Sequence, residues 1–205
     1  APQNPYDLTA ISLADSYLPP VWLDGGKAGF LLGSDEQGRD ILSAIIYGSA
    51  SSIMIGLVGM ICSCAIGTTL GLLAGYFGGK VDAVIMRIAD MMISFPGLVL
   101  AIAIAGMLGP NLVNAVISIA AVSWTKYARL ARSMVLKVKK SLYIEAAVVN
   151  GTKTWKILLV HVLPNMVTQM VVTAAADIGT MMLELASLSF LGFGATAPTP
   201  EWGLM

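Results

Sequence analysis

Apolar runs long enough to cross a bilayer recur four times along the chain, each parted from the next by a short polar or basic stretch. They cover Ile53 to Tyr76, Met91 to Leu108, Leu112 to Trp124 with a continuation to Leu136, and Met166 to Leu191. A hydrocarbon core about 30 Å thick takes about 20 apolar residues of helix to cross. Backbone polar groups in lipid must find partners within their own structure, and no ten-residue alternation marks a barrel. The pattern predicts an all-α fold class, a polytopic transmembrane helical bundle with four spans.

Local detail sharpens each span. In the first, Gly59, Ser63, Gly67, Gly71 and Gly75 place a small residue at every fourth position, a face another helix can approach closely. Asp82, Arg87 and Asp90 precede the second run, and Arg87 with Asp90 has the i,i+3 spacing of an ion pair. Pro96-Gly97 then interrupts that run, so a kink is expected. Gly78-Gly79-Lys80 and Gly109-Pro110-Asn111 read as tight turns between spans.

Composition agrees, with 57% of 205 residues hydrophobic and 12% charged, more apolar surface than a soluble domain can hide. The formal net charge is zero, but the charges are sorted. Residues 1–40 hold Asp7, Asp15, Asp24, Asp35, Glu36 and Asp40 against Lys27 and Arg39. Between 126 and 156 stand Lys126, Arg129, Arg132, Lys137, Lys139, Lys140, Lys153 and Lys156 against Glu145 alone. The positive-inside rule makes the second block cytoplasmic and the first extracytoplasmic, so the spans alternate and the tail after Leu191 ends outside. Flanked by spans, the basic block is no nucleic-acid site; its cations suit a helix C-terminus and anionic lipid. The domain division is an extracytoplasmic segment, 1–40, with a helix N-terminus at Ser34 or Asp35, then a transmembrane domain, 41–205.

Within the basic block, Ser141 can cap a short helix through Asn150, and Gly151 allows the left-handed turn that ends it. Thr152 or Thr154 can cap a second helix to His161, and Pro164 suits the start of the last span. The spacing Glu145-Ala146-Ala147, Gly151, Leu163-Pro164 resembles the cytoplasmic coupling loop of permease subunits of binding-protein-dependent ABC importers, with His161 where the consensus has an aliphatic residue. Gly33-Ser34-Asp35-Glu36-Gln37-Gly38-Arg39-Asp40 is similar to a signature of the dipeptide, oligopeptide and nickel branch. So are Ser189-Phe190-Leu191-Gly192-Phe193-Gly194 and Pro198-Thr199-Pro200-Glu201-Trp202-Gly203, and the match looks like the second permease of that branch.

The resemblance implies a coupling loop at about 137–164, where Glu145, Ala146, Ala147, Gly151, Leu163 and Pro164 dock on an ATP-hydrolysing partner. It implies two ATP-binding subunits, a second permease subunit and an extracytoplasmic solute-binding protein around this chain in a bacterial or archaeal plasma membrane. Further spans before and after the present ones are expected from it, so the chain reads as trimmed at both ends. The cargo it implies is nickel, a nickel chelate, or di- and oligopeptides, and Asp177-Ile178-Gly179 with the Ala-Thr-Ala-Pro-Thr-Pro tail lean slightly to nickel.

The remaining chemistry is sparse. Gly75-x3-Gly79-Lys80-Val81 lacks the spacing and hydroxyl of a phosphate loop, so ATP and Mg are expected on partners and no cofactor on this chain. The lone His161 sits at a cytoplasmic helix end, which gives no hydrolase constellation and no metal site. Cys62 and Cys64, two apart, do not face each other across a helix and read as packing residues. Asp177, Met181 and Glu184 fall at i, i+4 and i+7 of the last span. Acids at that depth mark a translocation path or a partner on a neighbouring helix. An ion-coupled secondary transporter or channel subunit would share these acids and lack the coupling loop.

Overall fold

A computed structural model describes residue 4, residues 12–196, residue 199 and residues 201–204. Among these, one isolated bridge between Ser34 and Asp40 is the only extended pairing, and the rest of the regular structure is helical. The helices are α1 (Ile41–Phe77), α2 (Gly79–Ile93), α3 (Gly97–Leu108), α4 (Leu112–Val138), α5 (Leu142–Val149), α6 (Thr154–Lys156) and α7 (Leu163–Phe190). Ile157–Val162 joins α6 to α7 as a π-helical segment.

The segment before α1 is irregular and closes on its own side chains. The Asp35 carboxylate accepts from the Gln37 and Arg39 amides at 2.9 Å, and Ser34 Oγ accepts from the Leu18 amide at 2.8 Å. Contrary to the expected helix start at Ser34 or Asp35, the N-cap is Asp40, which accepts from the Ser43 amide at 3.0 Å. Asp35 is held instead as a turn residue. From Asp40, α1 runs 37 residues, roughly 55 Å at 1.5 Å per residue, well beyond the Ile53–Tyr76 run.

The small-residue face of α1 lies on α4. A Cβ on Gly67 would stand 2.5 Å from Tyr127 Cβ, on Gly71 2.7 Å from Ala131 Cβ, and on Gly75 2.8 Å from Val135 Cβ. The backbones are close enough that only hydrogen fits there. α4 also packs against α2, α3 and α7, so it is the central helix, with Ala128, Ala131 and Val135 wholly buried. Cys62 is exposed and Cys64 half-buried, both as free thiols.

Two departures from the four-span reading concern the middle of the chain. By length and composition α1 and the run Thr154–Phe190 are able to cross a membrane, and α2 with α3 make a third if taken as one broken span. α4 falls short by itself because Lys126, Arg129 and Arg132 occupy its second half. α2 and α3 meet at 94°, a break sharper than the kink expected. Pro96 has no N–H to continue α2 and disfavours helical backbone at Phe95, while Ser94 Oγ donates to the Met91 carbonyl at 2.6 Å and closes the end.

Arg129 and Arg132 of α4 are not free lipid anchors. Arg132 grips Asp82 of α2 with two donors, the second at 2.5 Å, and Arg129 pairs with Asp90. Asp90 therefore pairs across helices and not with Arg87, which is exposed on its own helix. At the far end of the bundle Trp202 donates from its backbone to Ser52 Oγ at 3.2 Å and from its indole to the Ile45 carbonyl at 3.1 Å. Pro198 and Pro200 of that motif lie outside the described residues.

Candidate functional site

α5 has eight residues, too few to persist unsupported in water. Its support is Ile144, 2% exposed, which joins a cluster with Ile157, Leu158, Val162 and Met166. Burying such a side chain contributes roughly 1.5–3 kcal/mol. The C-terminal end is a Schellman motif. The Thr152 amide reaches the Ala147 carbonyl and the Gly151 amide the Val148 carbonyl, both at 3.0 Å, with Gly151 at φ +69°. That φ strains any residue with a Cβ, which is why glycine stands there.

With Ile144 inward, Glu145 and Ala146 face outward and Ala147 is half-buried. Leu142, Val148 and Val149 are exposed too, Val149 at 86%. Tyr76, Lys139, Ile144, Glu145, Val148 and Val149 line one groove. Lys139 ties that groove together: its ammonium donates to the Tyr76 carbonyl at 2.6 Å, at the C-terminal end of α1, and lies 5.3 Å from the Tyr76 ring. Here a cation meets the negative end of a helix, as the macrodipole favours.

The second half of the expected loop differs from a separate helix capped by Thr152 or Thr154. Lys153 is the N-cap, and α6, the π segment and α7 form one continuous run from Thr154 to Phe190. Pro164 cannot donate to the carbonyl four residues back, so the backbone widens. The Leu163 amide reaches Leu158, five back. Leu163 and Pro164 therefore open α7, as expected, but within a continuous run, with Leu163 half-buried and Pro164 exposed.

The three path candidates on α7 separate. Asp177 Oδ2 pairs with Lys126 Nζ of α4 at 2.8 Å. Met181 is 2% exposed and packs in the core beside Leu185. Glu184 is half-buried and makes no ion pair or hydrogen bond among the described residues. Lys126 and Lys139 are the residues that sequence reasoning left in a general basic block. A sign was present for Lys126: in an α4–α7 pair of opposite direction, Lys126 and Asp177 both fall half-way along their helices.

A family model for the inner membrane component of binding-protein-dependent transport systems matches residues 67–205, which hold α4, α5 and the Thr154–Phe190 run. The chain belongs to that family. Its relatives include the dipeptide transport system permease protein of Haemophilus influenzae, 42% identical over 98% of this chain and 68% of the relative. A di/tripeptide transport system permease protein of Pseudomonas aeruginosa is 45% identical over 91% of this chain and 62% of its own length. A glutathione transport system permease protein of Pectobacterium atrosepticum is 44% identical over 89% and 60%. The chain thus spans about two thirds of the length of the relatives it matches. Family members of this kind are permease components and not enzymes in themselves.

Proposed function

We propose that this chain is the permease subunit of an ATP-driven importer, and that its coupling surface is α5 with Glu145, Ala146, Ala147 and Gly151, backed by Leu163 and Pro164. The observation that carries this reading is an eight-residue helix anchored by buried Ile144 with Ala147 half-buried beside it, Glu145 and Ala146 outward, and its far end continuous, past one glycine turn, with a bundle helix. Ala146 and Ala147 leave a shallow face that a partner groove can accept, and Glu145 offers charge to a partner Arg or Lys. Two ATP-binding subunits, a second permease subunit and an extracytoplasmic solute-binding protein complete the assembly in a plasma membrane, with residues 1–40 outside and 41–205 as the membrane domain.

The cargo of this reading is a short peptide. The relatives are named for dipeptides, di/tripeptides and glutathione, which outweighs the slight motif lean to nickel. Asp177 and Glu184 stand along the path, with Met181 in the wall behind them.

The test is uptake in proteoliposomes holding the full-length permease pair, both ATPases and the binding protein. Labelled dipeptide and nickel are supplied separately, with and without ATP. Dipeptide uptake that needs ATP and is lost in Glu145→Lys, in a complex that still assembles, supports the reading. Uptake unchanged in Glu145→Lys defeats the coupling surface, and nickel uptake without peptide uptake defeats the cargo. The Lys126–Asp177 pair is also what an ion-coupled carrier could use, and uptake that survives ATP depletion under a held ion gradient would favour that carrier.

A further inference from the structure

Along the α4–α7 contact, from mid-length of both helices to two turns beyond it on α7, lie four polar groups whose pairing is incomplete. Lys126 and Asp177 form an ion pair at 2.8 Å, with Lys126 still 40% exposed in its side chain. Tyr127, wholly buried, has its hydroxyl near Asp177, and neither that hydroxyl nor Asp177 Oδ2 has a hydrogen-bond partner of good geometry among the described residues. Glu184, two turns further along α7 and about 10 Å away on the helix axis, makes no ion pair or hydrogen bond among the described residues. The site holds one cation with open donors, one acid without a partner and one hydroxyl in reserve. Resting on the importer reading above, we infer that Lys126, Asp177 and Glu184 form a transit site for a zwitterionic peptide: Glu184 takes the α-ammonium and Lys126 the carboxylate.

The chemistry follows from counting charges. An ammonium has three donors, so Lys126 can donate to a substrate carboxylate while it still touches Asp177. If Lys126 swings fully to the substrate, the Tyr127 hydroxyl is the donor that keeps Asp177 from being left bare, a condition costly in low dielectric. An extended dipeptide spans about 7 Å, a length the flexible Lys and Glu side chains can bracket across two turns. A bare metal cation would satisfy Glu184 and meet repulsion from Lys126, and a free anion the reverse. A solute with both charges engages Glu184 and the open donors of Lys126 together, which neither lone ion does. With the basic end of α4 inward, Glu184 lies on the outer side of Asp177, so a solute from outside meets the acid first and its ammonium leads.

The experiment uses the assembled complex in proteoliposomes, with Ala-Ala, Lys-Ala and Asp-Ala as cargo and peptide taken up per ATP hydrolysed as the readout. Glu184→Gln and Lys126→Met are each expected to cut peptide uptake about tenfold, the worth of one charge-assisted hydrogen bond. ATP hydrolysis stimulated by the binding protein should persist, so the peptide-to-ATP ratio falls. Glu184→Asp should recover most of the uptake, and Glu184→Gln should lose more of Lys-Ala than of Asp-Ala. Uptake in Glu184→Gln equal to wild type for all three peptides would overturn the site while leaving the importer reading intact. Equal loss in Glu184→Asp and Glu184→Gln, in step with loss of assembled complex, would show a structural role and overturn it as well. A wild-type complex that imports no peptide would defeat the importer reading, and this inference with it.

Discussion

Along the α1–α4 seam, Gly67, Gly71 and Gly75 meet atoms of α4 with no room for a methyl group, whereas α5 turns Leu142, Val148 and Val149 outward with no described residue over them. Both are helix surfaces rich in small residues. In the seam the small residues are consumed by a contact within the chain, and on α5 Ala146 is left outside it with Ala147 only half covered. A short exposed apolar face joined by one buried isoleucine is poor design for stability and suits a surface that another protein completes. The seam sets what the bundle is, and the α5 face what it can be attached to.

Substitutions can break that contrast, and the largest effect belongs to the seam. Gly71→Leu puts four carbons where a single Cβ already meets Ala131 at 2.7 Å, so α1 must leave α4. Loss of folded protein is expected, measured as the monodisperse yield in detergent. A normal yield would mean the seam opens freely. Next, Ile144→Ala should destabilise the docking of α5 by roughly 2–5 kcal/mol, the usual cost of truncating a buried isoleucine. Hydrogen exchange should rise over residues 142–150 and stay unchanged in α1. Gly151→Ala should cost about 1 kcal/mol through its positive φ, read as a fall of a few degrees in the thermal midpoint with the helix content retained. The smallest effect belongs to Arg129→Met, whose ion pair with Asp90 is about half exposed on both sides. Less than about 1 kcal/mol is expected there, and a larger loss would show that the α2–α4 pairs do more than decorate an exposed edge.

The bundle was legible because apolar runs and a four-residue glycine spacing report local helix and close approach directly. Gly151 was equally readable, since a turn that demands positive φ leaves few residue types. Pairings across helices were not. Asp90 has Arg87 three residues away on its own helix, yet the fold gives it Arg129 of α4, and sequence spacing weighs only neighbours along one helix. The span count turns on the same pairs: the four-span reading includes α4, length and composition of the helix leave it out, and Asp82, Asp90 and Asp177 stand beside the cations that make the difference. Pro164 does stand in the first turn of α7, as its residue type suggested; what the sequence did not show is that the π turn before it joins α6 to α7 without a break.

That continuity makes Thr154 to Phe190 a single rod of 37 residues, roughly 55 Å long. A tilt of about 5° at its α6 end carries the opposite end sideways by roughly 5 Å, about one helix radius with side chains. The widened turn at Ile157–Val162 is then the one weak joint in that lever, and a stiffer sequence there would trade reach for obedience.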